Sequence, residues 1–315
     1  MSDFSFQTLT KRMVACPICD GQDFEILATR DRYCMGVSTA GCKRCGLVMT
    51  NPRLAPEAMQ EFYRYHYRRY YHKVEVPTVE HIHSYELDRR AAYTVDFLVK
   101  SDLLRDCRRV LDVGCGEGSI LKEVGNRKPG MSLVGVEPGH EFAKFAREHT
   151  GCVIYPSLAE LANSGEPAFD LIVVNHVLEH VENPVSFLLS LRKILSEEGR
   201  IYLDVPDVSS YSNVTELHIA HLCHFSVGTL GAASKKAGLR LVAIERHCPP
   251  RHPRSIRAVL VIGHGHERLL PSDEALECAR IHALIRTINR RAWLSRVRNR
   301  LVGPLRGAVR QVFRK

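Results

Sequence analysis

No run of about 18 apolar residues occurs anywhere in the 315-residue chain, and Met1-Ser2-Asp3-Phe4-Ser5 offers neither a basic nor an apolar leader. These absences lead us to expect neither a membrane span readable from hydropathy nor a secretory signal. They lead us to expect a protein made and kept in the cytoplasm. Acidic residues are missing altogether from residues 286 to 315, which hold nine arginines and one lysine. The net charge of +9 therefore belongs to this tail, and the rest of the chain is close to neutral. A basic patch spread over the body is excluded, so no specific nucleic-acid partner is expected. Repeats and low-complexity tracts are absent as well.

Cysteine, by contrast, is plentiful, with eleven in a chain for which no export signal is expected. Metal ligands and buried thiols are expected rather than disulfides. Cys16-Pro17-Ile18-Cys19 and Cys42-Lys43-Arg44-Cys45 are two C-x2-C pairs, followed by Asp20-Gly21 and Gly46 respectively. Each pair can form a tight turn that aims two sulfurs at one ion. Four thiolates close a tetrahedral site with no position left for water, which makes a structural Zn2+ the expected ion. Cys34 has no such partner and reads as a small apolar residue.

Four parts are expected: a zinc-binding module over 1–50, a helical substrate-cap segment over 51–105, a catalytic domain over 106–265, and a basic amphipathic helical tail over 266–315. In the third part, short apolar strands alternate with helical segments. The strands are expected at 109–113, 132–136, 152–154, 169–174, 200–205, 239–246 and 256–262. That alternation signals βαβ units and an α/β fold with a Rossmann-like, mostly parallel seven-stranded sheet.

Val110-Leu111-Asp112-Val113-Gly114-Cys115-Gly116-Glu117-Gly118 places a glycine-rich turn between a strand and a helix. Glycines let the backbone approach a ligand closely, and the helix N-terminus favours an anionic group. A second strand ends in Glu137, about 20 residues on, where an acid accepts hydrogen bonds from two ribose hydroxyls. A third strand ends in Asn175-His176-Val177-Leu178-Glu179-His180. Ser119 stands near where a G-x-G-x-x-G dinucleotide fingerprint would need its third glycine, which argues against an NAD site. These motifs, in this order, resemble the class I methyltransferases that use S-adenosylmethionine (SAM). The resemblance implies that Asp112, Gly114 and Gly116 line the methionine part of SAM, that Glu137 holds the ribose, and that Asn175 and His176 sit beside the sulfonium. Glu179 and His180 read as residues that orient the loop.

The four-cysteine module ahead of such a domain resembles bacterial sugar methyltransferases, closest to those that methylate carbon on nucleotide-linked ketodeoxysugars. His218-Ile219-Ala220-His221-Leu222-Cys223-His224-Phe225-Ser226 stands where that family has a Tyr-His-Glu-His-Leu-Ser-Tyr-Phe-Ser type segment. Ala220 replaces the glutamate. The acceptor is accordingly expected to be a sugar or glycan hydroxyl, on a nucleotide sugar or polysaccharide precursor. Carbon methylation of a ketodeoxysugar is the alternative, with RNA methylation behind it. An Asn/Asp-Pro-Pro-Tyr/Phe segment for a flipped base is absent after the third of these strands. The expected base is His221, with His218 and His224 as companions; a second metal site or plain loop histidines are the rival readings.

Two further features await the structure. Phe62 to Tyr71 interleaves aromatic and cationic residues, which suits either a sugar and phosphate or a solvated helix. Trp293, Leu294, Val297 and Leu301 fall at helical spacing among arginines, so residues 286–315 are expected to touch anionic membrane or pack on the body, with Gly303-Pro304 ending the helix.

Overall fold

The computed structural model describes residues 10–32, 36–65, 76–263 and 274–312; side chains of residues 60, 63–65, 274–276 and 297–312 are not described. Cys34 and most of the aromatic and cationic segment after Tyr65 thus lie outside the described residues.

A seven-stranded sheet forms the centre, built from β6 (Arg109–Val113), β7 (Ser132–Val136), β8 (Val153–Tyr155), β9 (Phe169–Asn175), β10 (Leu195–Pro206), β12 (Leu239–His247) and β13 (Ser255–Ile262). Its order is β12-β13-β10-β9-β6-β7-β8, and β13 alone runs against its neighbours. The near-continuous apolar runs of β6 and β9 follow from burial on both faces, where Leu111, Ile172 and Val174 meet one core cluster and Val110, Leu171 and Val173 another. Chain order reverses between β6 and β9, opening a crevice beyond their carboxyl ends, the usual ligand position of such sheets.

Helices cover both faces. In chain order they are α1 (Pro56–Tyr65), α2 (Val79–Ser84), α3 (Leu87–Lys100), α4 (Ser119–Arg127), α5 (His140–Thr150), α6 (Leu158–Asn163), α7 (Pro184–Lys193), α8 (Val227–Lys236) and α9 (Glu274–Val312). Ser226 caps α8 through its side chain and, with Thr229, forms a capping box. The expected break at Gly303-Pro304 is corrected: α9 continues to Val312. Proline there removes one intrahelical hydrogen bond without stopping the helix.

A second sheet holds the cysteine pairs, in the order β11-β4-β3-β2, from β2 (Phe24–Ala28), β3 (Thr39–Cys42), β4 (Val48–Thr50) and β11 (Cys223–His224). Its fourth strand comes from a distant part of the chain. β11 lies antiparallel to β4, with Cys223 opposite Met49 and His224 opposite Val48. A cut at residue 50 would therefore leave this sheet without its edge. A short pair, β1 (Lys11–Arg12) with β5 (Arg53–Leu54), flanks it. Helix α9 packs on the same sheet through Ile281, Ile285 and Ile288, which join Leu27 and Val48 in one apolar cluster.

Candidate active site

The cofactor side begins where β6 meets α4. Gly114, Gly116 and Gly118 all adopt positive φ, at 75°, 56° and 88°, a conformation that costs any residue with a Cβ. The turn is tied down by Gly114 N–H donating to the Val136 carbonyl at 2.7 Å. Glu137, 5 % exposed, accepts from Gly116 N–H at 3.1 Å and from Gly139 N–H at 2.7 Å, one bond on each carboxylate oxygen. A carboxylate oxygen can accept more than one hydrogen bond, which fits a pair of ribose hydroxyls. A Cβ built on Gly116 meets nothing within 4 Å, so this part of the cradle is open.

Asp112 lies beneath the turn, 1 % exposed, with Oδ2 lacking a hydrogen-bond partner among the described residues. Burial, reinforced by Glu117 and Glu137, pushes its carboxyl up to about 8. A buried carboxyl of this kind fits a ligand that brings positive charge, as SAM does. The structure thus gathers Asp112, Gly114, Gly116 and Glu137 at one sheet edge. It sets Asn175 and His176 at the same edge, because β9 runs parallel to β6 with Val174 opposite Val113, and a Cβ on Gly114 would stand 2.4 Å from Val177 Cγ2.

The other side of the crevice is a cluster of histidines around Glu179. His176, in left-handed conformation at φ 55°, places Nδ1 3.3 Å from Glu179 Oε1, and its ring packs 4.3 Å from that of His252. His180 Nδ1 donates to the Ala220 carbonyl at 2.9 Å. His221 Nε2 lies 4.0 Å from Glu179 Oε1, its ring 3.6 Å from His218 and 5.8 Å from His224. The Tyr211 hydroxyl is 2.9 Å from His224 Nδ1. Of the three histidines expected from the sequence, His221 is the most exposed, while His218 and His224 are buried beside it.

Burial drives the titration of this cluster. It holds His221 and His218 well below the ordinary imidazole value, aided by neighbouring histidines, and lowers His224 to about 3. His180 is lowered too, against the pull of Glu179. For His176, burial is outweighed by the Glu179 hydrogen bond and by Asp204, so its value is raised. A neutral imidazole with a free lone pair can accept a proton or ligate an ion; an imidazolium can do neither.

Several contributors were not foreseen. Asp204, at the end of β10, is 1 % exposed and takes the Tyr202 hydroxyl at 3.1 Å, with His247 Nε2 also at 3.1 Å. Arg53, 3 % exposed, donates to the Thr50, Glu182 and Leu222 carbonyls, and Thr50 Oγ1 donates to the His221 carbonyl at 3.0 Å. The cysteine module thus carries the residues that anchor the histidine loop. Their partners Glu182, His221 and Leu222 lie more than 100 residues away, so local sequence gives no sign of them.

In the module, Cys16 and Cys45 sulfurs are 3.4 Å apart, as are those of Cys19 and Cys42, and all four ligand atoms lie within 4.8 Å of one another. Sulfurs around one tetrahedral ion stand roughly 3.8 Å apart, so the cluster has the right size.

A family model described as a methyltransferase domain matches residues 59–244. The chain belongs to this family. Among curated proteins, this chain is 29 % identical over 142 residues to the mitochondrial ubiquinone biosynthesis O-methyltransferase of Rattus norvegicus, covering 40 % of this chain and 41 % of that one. With the counterpart from Schizosaccharomyces pombe it shares 33 % over 119 residues, 35 % of this chain and 43 % of the relative. The chain thus spans less than half the length of these relatives. Among solved structures, a 1,6-didemethyltoxoflavin-N1-methyltransferase of Burkholderia thailandensis, bound to its substrate and S-adenosylhomocysteine, superposes with a TM-score of 0.52 at 18 % identity, over 69 % of this chain and 96 % of that one. That likeness establishes the class I fold.

These relatives overturn the expectation of a sugar or glycan acceptor, with its alternatives of ketodeoxysugar C-methylation and RNA, because they are named for ubiquinone biosynthesis. The expected link to polysaccharide biosynthesis falls with it. The physical reason lies in the segment that suggested a sugar. Leu222 and Phe225 are core residues, Cys223 and His224 form β11, and Ser226 caps a helix. Most of the matching positions serve the scaffold, so the match carries little about the acceptor.

Proposed function

We propose that this chain transfers the methyl group of SAM to a hydroxyl oxygen of a small aromatic molecule, a precursor of a quinone. The observation that carries the reading is the likeness to the ubiquinone biosynthesis O-methyltransferases. In this reading Asp112, Gly114, Gly116, Asn175 and His176 hold the methionyl end of SAM, and Glu137 holds the ribose. The sulfonium then faces the histidine cluster across the crevice. His221, neutral and at the front of the cluster, accepts the hydroxyl proton as the oxygen attacks; His218 and His224 shape the wall behind it. Such a base contributes about 10²–10⁴-fold, and alignment supplies much of the rest.

The four cysteines are assigned a structural Zn2+, which holds together the sheet on which Thr50 and β11 position the histidine loop. No helix among the described residues is long and apolar enough to cross a membrane. Peripheral contact of α9 with an anionic membrane would suit a lipophilic acceptor, and exposed Trp293 and Leu294 among arginines support it.

The deciding experiment supplies labelled SAM with a panel of phenols and catechols carrying side chains of increasing length, alongside saccharides and RNA. Label should appear in the ether-linked methyl of a phenol. Absence of label from every phenol, with the protein folded and binding SAM, would overturn the reading.

A further inference from the structure

We propose that Glu179, His180 and His221 form a binding site for one divalent first-row metal ion, separate from the four-cysteine cluster and facing the acceptor side of the crevice. Their three ligand atoms, a carboxylate oxygen and two imidazole nitrogens, lie within 4.8 Å of one another. His180 Nε2 and His221 Nε2 each stand 4.0 Å from Glu179 Oε1. Ligands bound to one ion at about 2.0–2.2 Å are separated by roughly 3–4.3 Å, so an ion fits between them with little movement of the side chains.

The hydrogen bonds around the three residues prepare them for an ion. The Ala220 carbonyl can only accept, so His180 carries its proton on Nδ1 and presents the Nε2 lone pair to Glu179. A second partner on the remote nitrogen of a ligating imidazole is the usual way a protein orients it. Glu179 is 1 % exposed, and its Oε2 has no hydrogen-bond partner among the described residues. An orphaned, buried carboxylate oxygen is costly, and a cation beside it removes that cost. His176 steadies the same carboxylate oxygen, with Nδ1 3.3 Å from Oε1.

The backbone holds the set in place. Leu222 N–H donates to the Glu179 carbonyl at 2.8 Å, locking the residue after His221 onto the turn that carries Glu179 and His180. Thr50 grips the same strand, with its N–H on the Leu222 carbonyl at 3.1 Å and its hydroxyl on the His221 carbonyl. The histidine side chains retain 20 % and 14 % exposure against 2 % for Glu179, so the ion's free positions open toward the crevice. Two imidazoles and one carboxylate with open positions suit manganese, iron, cobalt or zinc, whereas magnesium and calcium prefer all-oxygen sites.

This inference rests on the proposed hydroxyl acceptor and deepens it. An acceptor oxygen taking an open position loses its proton to solvent water once bound to the cation. The bond from methyl carbon to sulfur then breaks as the carbon–oxygen bond forms, and sulfur keeps the electron pair. His221 serves as a ligand in this form, and the ion takes over the activation otherwise given to its imidazole.

Cobalt(II) titration of protein already loaded with one zinc tests the site. The zinc-filled cysteines leave cobalt only the new position, which should bind one equivalent with the weak visible bands of nitrogen and oxygen ligation and no sulfur-to-metal charge transfer. Glu179→Gln and His221→Ala should each weaken that binding at least about tenfold. Calorimetric binding of S-adenosylhomocysteine and the circular dichroism spectrum show whether each variant is folded, and His180→Asn replaces any variant that is not. No cobalt bound by the wild-type protein, or equal binding by the folded variants, would overturn the site. Methylated phenol without a second ion would leave the hydroxyl reading standing and remove this one. A bound ion without methylated phenol would do the reverse.

Discussion

Replacing Gly114 by alanine tests how the cofactor turn is built. Two separate penalties can be read from the structure. Alanine at φ 75° enters the left-handed region at a cost of about 1–2 kcal/mol. Its Cβ would also stand 2.4 Å from Val177 Cγ2, an overlap that costs about 1–3 kcal/mol unless something shifts. The expected destabilisation is therefore roughly 2–5 kcal/mol. Removing the Val177 branches relieves only the second penalty, so Gly114→Ala/Val177→Ala should be more stable than the two single effects added together, by about 1–3 kcal/mol. Gly116→Ala is an internal control. That residue also has positive φ, at 56°, but its Cβ meets nothing within 4 Å, so about 1–2 kcal/mol is expected and Val177→Ala should not relieve it. Urea denaturation of the single and double variants measures these differences, with S-adenosylhomocysteine affinity alongside. Strict additivity of Gly114→Ala and Val177→Ala would refute the packing of the turn on the residue after His176.

Asp112, pushed up to about 8 by burial and by Glu117 and Glu137, is mostly protonated at neutral pH; cationic SAM favours its ionised form, so binding should release a proton and tighten as pH rises toward 8. Calorimetry in two buffers of different ionisation enthalpy reads that proton, and its absence, or its persistence in Asp112→Asn, would contradict the assignment. Protein purified without chelator should hold zinc at the four cysteines, and stripping it should loosen β4 and β11, raising hydrogen exchange at the histidine loop while the β6–β9 strands stay protected. Exchange unchanged by metal removal would count against that coupling. For α9, a cleft of about 360 Å³ lined by Arg30, Arg290, Trp293 and Arg296 offers positive charge to an anionic headgroup, and deletion of residues 297–315 with Trp293→Ala should abolish flotation with anionic liposomes. Equal flotation of the two proteins would exclude membrane contact through the tail.

Local pattern was enough wherever a structural feature needs one kind of residue at one spacing. Apolar runs set all seven central strands within a residue or so, except that β10 begins at Leu195, ahead of the expected 200. The glycines of the turn, Glu137 beyond the next strand and the two cysteine pairs were legible because a positive φ, a ribose-binding acid and a tetrahedral sulfur site tolerate few substitutes. Tertiary structure alone decided what those parts do together. Glu179 reads in sequence as a loop residue, and only the fold surrounds it with His176, His180 and His221, drawn from two segments of the chain. Asp204, Arg53 and Thr50 gain their roles from partners across the fold, such as Thr50 and Arg53 reaching Leu222. Burial finally sets which histidines stay neutral, and burial depends on the whole molecule, which no window of sequence contains.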